Sequence, residues 1–388
     1  MIKEKNEKLN KYFYIVYFIW GICAQINNCV NVRVPFQNLI FNIINLFMIV
    51  SMFLCLLFLI LKLKFKVPVN KIIDLALFII LILILTKNQS PLTFLATFSL
   101  VILAGNFKFD DILKTYLYFT GLLLFFVISL YYLGKIPPAI LTGLNLRMRT
   151  SLGFSYYTYA SQLLFYFTLA YGVYKKRTIT YLELVLLGLA NLFVFYNTDT
   201  RNPFILAIFF IFSIFINKLV KGRFFALESR ILKYIFIFIF PICFIILVII
   251  TFYISSSKFE EYNTLLSGRL WLNRLGIERW GIHILGQKIV FSTFFNGVIS
   301  NNYNFVDSSY FQILLVNGWL FLSVILILFT QVCRKAVKQK NMFLSIALCL
   351  IAIHSMFDPQ LLMPWYSPFC LLLGDVFAMK NWKDEVMK

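Results

Sequence analysis

Between Phe252 and Trp319 the chain carries its one long polar interval, and the side chains there are of the kinds that bind anions and move protons. Arg269, Arg274 and Arg279 fall within SGRLWLNRLGIERWG, and the interval closes on Asp307-Ser308-Ser309. A planar guanidinium offers a fork of N–H donors that matches the oxygens of a phosphate two at a time. A carboxylate beside several such cations can take the proton from an attacking hydroxyl as a general base. Arg201, which follows Tyr196-Asn197-Thr198-Asp199-Thr200, and Arg149 are the residues that would complete an anion site with the loop arginines.

Each of these side chains also has a purely structural reading. Asp307 directly precedes an apolar helix and could cap it by accepting a hydrogen bond from the amide of Ser309 or Tyr310. An arginine turned toward a bilayer core costs roughly 2.5 to 3.5 kcal/mol on insertion scales, so Arg201 needs a polar cavity or a partner, and Asp199 is at hand. Arg274 and Glu278 stand four apart and are expected to pair, which leaves Arg269 without a local partner and makes it the stronger ligand candidate. In a helical register Trp271, Leu275 and Ile282 share one side while Arg269 and Asn273 lie elsewhere, as in a helix lying in the membrane interface. His283, between Ile282 and Ile284, reads as packed, and His354 as a hydrogen-bonded helix residue. No HExxH, DxD or carboxylate cluster accompanies the arginines, so metal-assisted transfer is disfavoured and no cofactor is expected. Seven cysteines without a CxxC pair read as apolar filler.

The elements that must position these residues are membrane helices. Hydrophobic residues make up 61% of the 388, aromatic residues 19%, and mean hydropathy is +0.84, values far outside the globular range. Apolar windows fall near 12–30, 36–61, 72–86, 91–105, 115–133, 156–174, 179–196, 203–217, 234–254, 310–331, 342–356 and 365–379. The expected fold is therefore all-α: a single membrane domain, 1–388, of about twelve transmembrane helices with both termini on one side and a large extracytoplasmic loop at 255–309. The lysine-rich start lacks a small-x-small cleavage site and reads as part of an uncleaved first helix. Trp20, Tyr156, Trp365 and Tyr366, near window ends, read as an interfacial aromatic belt.

A net charge of +20 would suggest nucleic acid in a soluble protein, but here it sorts by side of the membrane. With a cytoplasmic N-terminus, 25 of the 36 basic residues fall inside, in accord with the positive-inside rule. The division by type is sharper: 21 of 25 lysines fall inside, whereas 7 of 11 arginines (Arg33, Arg147, Arg149, Arg201, Arg269, Arg274 and Arg279) fall outside. Orientation asks only for charge, whereas an oxyanion site favours guanidinium. Pairing with lipid headgroups or with Asp199, Glu260, Glu261, Glu278 and Asp358 is the alternative.

Four motifs occur in order: Arg149-Thr150-Ser151-Leu152-Gly153-Phe154, Thr198-Asp199-Thr200-Arg201, Ser267-Gly268-Arg269-Leu270, and Asp307-Ser308-Ser309-Tyr310-Phe311-Gln312-Ile313-Leu314-Leu315 running to Gly318. With the FKFDDILK segment, and over most of the chain from about residue 108, they resemble the O-antigen and capsular polysaccharide polymerases, related to the O-antigen ligases. The resemblance implies a metal-independent glycosyltransferase of the bacterial plasma membrane. It would move a growing glycan from one polyprenyl-pyrophosphate carrier to a lipid-linked repeat unit at the outer face. Arg201 and Arg269, with Arg149 and Arg274, would hold the pyrophosphate, and Asp307 would be the base. The implied partners are the polyprenyl-pyrophosphate-linked oligosaccharide, membrane lipid and a chain-length regulator, with no nucleic acid. Thr200 stands where the family often has serine, and Asp307 where the ligases have histidine. A ligase, or a flippase or transporter of lipid-linked oligosaccharide, is the competing expectation; no internal repeat of the transporter kind is present.

Overall fold

The computed structural model describes residues 2–32, 35–62, 68–139, 149–220, 229–295, 298–299 and 303–378. Arg33 and Arg147, with Lys64, Lys66, Lys221, Arg223, Lys380, Lys383 and Lys388, lie outside these residues. The regular secondary structure of the described chain is helical apart from a two-residue antiparallel pair, β1 (Phe294–Phe295) and β2 (Val298–Ile299), and an isolated bridge between Val30 and Phe154. The helices are α1 (Ile2–Cys29), α2 (Gln37–Lys62), α3 (Val69–Leu85), α4 (Pro91–Ala104), α5 (Phe109–Tyr132), α6 (Tyr159–Lys175), α7 (Tyr181–Thr198) and α8 (Arg201–Leu219). They continue with α9 (Arg230–Ile237), α10 (Ile239–Phe252), α11 (Ser256–Leu265), α12 (Arg269–Trp280), α13 (Ser309–Gln312), α14 (Gly318–Lys338) and α15 (Met342–His354).

Six helical stretches are long and apolar enough to cross a bilayer, and a seventh is added if α9 and α10, bent by 73° at Phe238, form one span. The protein is thus a helical membrane protein. Three of the apolar windows hold shorter elements: α4, α15 and a 3-10 helix at Pro368–Phe377, which replaces the longer helix expected at 365–379. At 1.5 to 2 Å per residue each reaches only about 20 Å, against a hydrocarbon core of about 30 Å. These short elements bury most of their residues and form the centre of the bundle. In contrast, α2 and α3 leave Leu39, Ile43, Phe53 and Leu77 exposed, the arrangement of lipid-facing helices.

The helices alternate between two ends of unlike chemistry. One is a lysine end, where Lys176 meets Asp110 at 2.6 Å, Lys175 meets Glu183 at 2.8 Å and Lys335 meets Asp375 at 2.7 Å. The other gathers residues 149–158, 197–202, 255–295, 303–319 and 355–367, and with them Arg149, Arg201, Arg269 and Asp307. Three side chains pin its last segment to the bundle. Tyr17 Oη donates to the carbonyl of Pro364, Gln25 Nε2 to that of Trp365 and Tyr116 Oη to that of Tyr366. Trp20, Trp365 and Tyr366 are accordingly buried, not the interfacial belt their positions near window ends suggested.

A break in one long helix shapes the arginine end. After α13 the chain runs through a π-helical turn, Ile313–Asn317, and restarts as α14 at Gly318, where φ is +89°. Segment 283–287 returns to satisfy the backbone groups this break frees. Trp319 and Leu320 donate their amides to the carbonyls of His283 and Ile284, and Gln287 donates to that of Val316. The approach is so close that a side chain at Gly286 would fall 2.1 Å from the Val316 carbonyl oxygen, and one at Gly318 would fall 2.3 Å from that of Ile284. Glycine is required at both positions.

Candidate functional site

A helical hairpin in the polar interval delivers Arg269. Ser267 and Gly268 both adopt positive φ between α11 and α12, and Asn263 on α11 caps the new helix by accepting the amide of Trp271 on Oδ1 at 3.0 Å. The buried stripe of α12 is Leu270, Asn273 and Gly276, so the side carrying Asn273 faces the protein while Trp271 is left half exposed. Gly276 makes the approach close: a β-carbon there would lie 2.9 Å from Val306 Cγ2. Val306 is next to Asp307, and this packing brings Arg269 Nε to 3.3 Å from Asp307 Oδ2. Among the described residues the two Nη nitrogens of Arg269 have no protein partner, so the two-pronged face of the guanidinium is open.

Asp307 is not the helix cap. Ser308 is the N-cap of α13, its Oγ accepting the amide of Phe311, and this leaves the carboxylate of Asp307 to the arginine. Arg269 and Asp307 each keep about a quarter of their side-chain surface open, at 26% and 25%, although protein surrounds them on most sides. Such a recess is low in dielectric yet reachable. Burial raises the Asp307 pKa to about 6, against the lowering effect of Arg269 and with a further push from the charge of Asp358. Burial alone would lower the pKa of Arg269, but Asp307 and Asp358 together outweigh it and raise the value. The pair is therefore unequal: the cation is held firmly charged, while the carboxylate is poised to exchange a proton near neutral pH.

Arg149 and Arg201 form the second half of the site through one carboxylate. Asp199 ends α7 in the left-handed conformation at φ +44°, which aspartate tolerates better than most residues, and α8 starts two residues later. Its Oδ2 lies 3.7 Å from Arg149 Nη2 and its Oδ1 lies 3.7 Å from Arg201 Nε. The amide of Thr150 donates to the carbonyl of Asn197, tying the two segments together. Arg201 is 62% exposed, whereas Arg149 is mostly covered and lies over the ring of Tyr157 at 4.7 Å.

Tyrosines connect the halves. Tyr156 Oη donates to Tyr157 Oη at 2.8 Å with ring centres 4.2 Å apart, and Tyr159 lies beside Tyr156 at 5.6 Å. Tyr156 is within electrostatic reach of Asp307 and Arg269, and Tyr303 of Asp307, Tyr157 and Arg269. Burial, followed by the charge of Asp307, pushes the Tyr303 hydroxyl well above its ordinary pKa and keeps it a neutral donor. Two groups of guanidiniums and carboxylates are thus linked through phenol rings at one end of the bundle.

Asp358, which acts on both Arg269 and Asp307, belongs to a buried polar network whose members are far apart in the sequence. Asp358 accepts from Gln162 Nε2 on Oδ1 and from Asn202 Nδ2 on Oδ2 at 2.8 Å. The ring of His354 is fully buried. Its Nε2 lies 3.2 Å from Gln360 Oε1, and its Nδ1 lies 3.1 Å from Asn202 Nδ2 and 3.4 Å from Asp358 Oδ2. Ser309 Oγ donates to the Asp358 carbonyl at 2.6 Å and accepts the amide of Leu361, which fixes the start of α13 and hence Asp307. The signal was present as polar residues inside apolar runs, at Gln162, Asn202, Asp358 and Gln360, but their convergence from separate helices was not.

Two other expected placements differ. Arg274 does not pair with Glu278; its Nη2 donates to the carbonyl of Thr251 at 2.7 Å and its guanidinium lies 3.8 Å from the centre of the Phe259 ring, so it anchors the hairpin to the end of α10. Five positions along an α-helix is about 140° around it, which turns Arg274 away from Arg269. His283 is exposed, not packed, with Nε2 3.1 Å from the carbonyl oxygen of Trp280. Among the described residues no three His, Cys, Asp or Glu side chains converge as metal ligands would. Compared against known protein families, curated proteins and solved structures, the chain matches none.

Proposed function

We propose that this protein is a polysaccharide polymerase. It transfers a growing glycan from its polyprenyl-pyrophosphate carrier to the terminal sugar of a lipid-linked repeat unit, at the outer face of a bacterial plasma membrane. In this reading the chain crosses the membrane about twelve times, both termini are cytoplasmic, and the arginine end faces outward. The observation that carries the proposal is the unequal pair of Arg269 and Asp307, with an open guanidinium fork and a carboxylate of pKa about 6 in one tyrosine-lined recess.

The chemistry follows from those groups. A hydroxyl of the acceptor sugar attacks the anomeric carbon of the donor glycan while Asp307 takes its proton. The bond from that carbon to the pyrophosphate oxygen breaks, and the leaving polyprenyl pyrophosphate keeps the electron pair. Arg269, Arg201 and Arg149 stabilise the charge that develops on it, work that a divalent metal does in other transferases. Two guanidiniums on the single carboxylate of Asp199 leave a net positive charge for that oxyanion. Tyr156, Tyr157 and Tyr303 offer ring faces and hydroxyls to the sugars.

Deleting the gene tests this reading. The expected phenotype is surface glycan of single repeat units, with lipid-linked single units accumulating on the outer leaflet. A flippase would leave them on the cytoplasmic leaflet, and a ligase would leave long polymer on its carrier. Gel separation of the glycan with surface labelling of the lipid-linked pool distinguishes the three, and long carrier-bound polymer in the deletion strain would overturn the assignment.

A further inference from the structure

Three helix starts that carry or adjoin parts of the proposed site lie far apart in the sequence, and all three are attached to Asp358. The start of α6 follows Tyr156 and Tyr157, and Gln162 in its first turn donates Nε2 to Asp358 Oδ1. The start of α8 carries Arg201, and its next residue, Asn202, donates Nδ2 to Asp358 Oδ2 at 2.8 Å. The start of α13 follows Asp307, and Ser309 donates Oγ to the Asp358 carbonyl at 2.6 Å. A fourth partner, His354, stands one turn earlier in the chain, with Nδ1 3.4 Å from Asp358 Oδ2. Asp358 is 4% exposed, so its influence on the reaction runs through the groups it holds.

Neutral groups would be enough to tie helices together, as Asn191 and Thr168 tie α7 to α6 at 3.0 Å. A buried carboxylate is a costly choice for that task, and among the described residues no lysine or arginine makes an ion pair with this one. Its charge does act on Arg269 and Asp307. Asp307 is faced by Arg269 from α12, Tyr156 from the segment before α6, Tyr303 from its own segment and Asp358 from the turn after α15. Asp358 is in turn faced by His354 from α15, Tyr166 from α6, Tyr366 and Arg269. Phenols are neutral at pH 7, which leaves Asp358 as the like charge beside Asp307.

We propose that Asp358 is a positioning residue for the glycan transfer: it holds the starts of α6, α8 and α13 in register, so that Arg201 and Asp307 serve one substrate, and its negative charge favours the proton on Asp307. The proposal rests on the polymerase reading. It makes one residue, outside the reacting groups, responsible both for joining the two halves of the site and for the pH at which the base becomes available.

Asp358→Asn is the decisive variant. It removes the charge and can keep the ties, because Gln162 Oε1 has no partner and the amide can turn over to accept from the new side-chain N–H. Membranes of the complemented deletion strain, supplied with lipid-linked single units extracted from the deletion strain, give the rate of polymer formation against pH. In the parent the rate should rise through an inflection near pH 6 that Asp307→Asn abolishes. In Asp358→Asn, at normal abundance, the inflection should move down by roughly half a pH unit or more, and the plateau rate should fall by roughly 10-fold. Ser309→Ala cuts the tie to α13 but keeps the carboxylate, so its plateau should fall several-fold while its inflection stays near pH 6. An inflection that stays in place or moves up in Asp358→Asn overturns the proposal. So does a loss of rate matched by a loss of folded protein with the inflection unmoved, which would mark Asp358 as structural. If Asp358→Asn does not accumulate, a parental plateau in Ser309→Ala is enough to overturn the positioning role. A parent without an inflection that depends on Asp307, or long polymer in the deletion strain, defeats the polymerase reading and this role with it. An inflection that Asp307→Asn abolishes and Asp358→Asn leaves in place removes the role of Asp358 alone.

Discussion

The two ends of the bundle treat positive charge differently. At the lysine end the ion pairs are short, 2.6 to 2.8 Å, and the most exposed of the three, Lys176 with Asp110, keeps 45% and 51% of its side chains open. Such pairs are worth about 0 to 1 kcal/mol and commit each ammonium to one carboxylate in water. At the arginine end the contacts are longer, 3.3 to 3.7 Å, and use one nitrogen of each guanidinium. Asp199 serves two arginines, and Asp307 lies in a recess that favours its proton. The arginine contacts thus leave guanidinium donors to spare, and at Arg269 they do so beside a titratable carboxylate. The second arrangement is the one on which the proposed function rests.

The strongest way to break this contrast is Asp307→Asn. Because Ser308 does the capping, asparagine should leave membrane abundance normal while glycan polymerisation falls by about 10² to 10⁴. A fully active variant would remove the base from the mechanism. Arg269→Lys comes next: charge is kept but the fork is lost, and polymer formation should drop by roughly 10² to 10³ with normal abundance. If both Arg269→Lys and Arg269→Ala polymerise normally in a complemented deletion strain, the arginine is not a ligand.

The pH dependence sharpens the same point. Asp307 acts as a base only when ionised, so activity should rise as pH increases through about 6, and the carboxylate inflection should vanish in Asp307→Asn. The stability sign is opposite. The folded pKa lies above the unfolded value, so this group's contribution to folding is complete below about pH 3.8 and is lost as pH rises through about 6. Thermal unfolding across pH 3.5 to 7.5, parent against variant, measures it.

Smaller effects follow from packing and from the opposite end. Gly276→Ala should push α12 from Val306, destabilise the protein by about 1 to 3 kcal/mol and lower activity by separating Arg269 from Asp307. Lys176→Ala should cost about 0 to 1 kcal/mol and leave polymerisation unchanged. Lost activity in the lysine variant at normal abundance would erase the distinction between the ends.

Much of this could be read before any fold was known. Hydropathy is a sum over neighbouring residues, so helical windows, the polar interval and the membrane class were apparent from composition and order. The separation of arginine from lysine is likewise a property of sequence position, since helices return the chain to alternate ends whatever their packing. What each charge touches is not a local sum. Arg274 and Glu278 stand four apart, yet Arg274 goes to Thr251 and Phe259, because the hairpin packs on the end of α10 and a backbone carbonyl there is close at hand. Asp307 stands at a helix start, yet Ser308 takes the cap, because Arg269 arrives from 38 residues away when Gly276 lets α12 lie against Val306. Asp358 draws Gln162 from 196 positions away and Asn202 from 156. The residues available for chemistry were set by the order of the chain. Their partners were set by burial, because once a polar group leaves water it takes whichever complement the packing brings within about 3 Å.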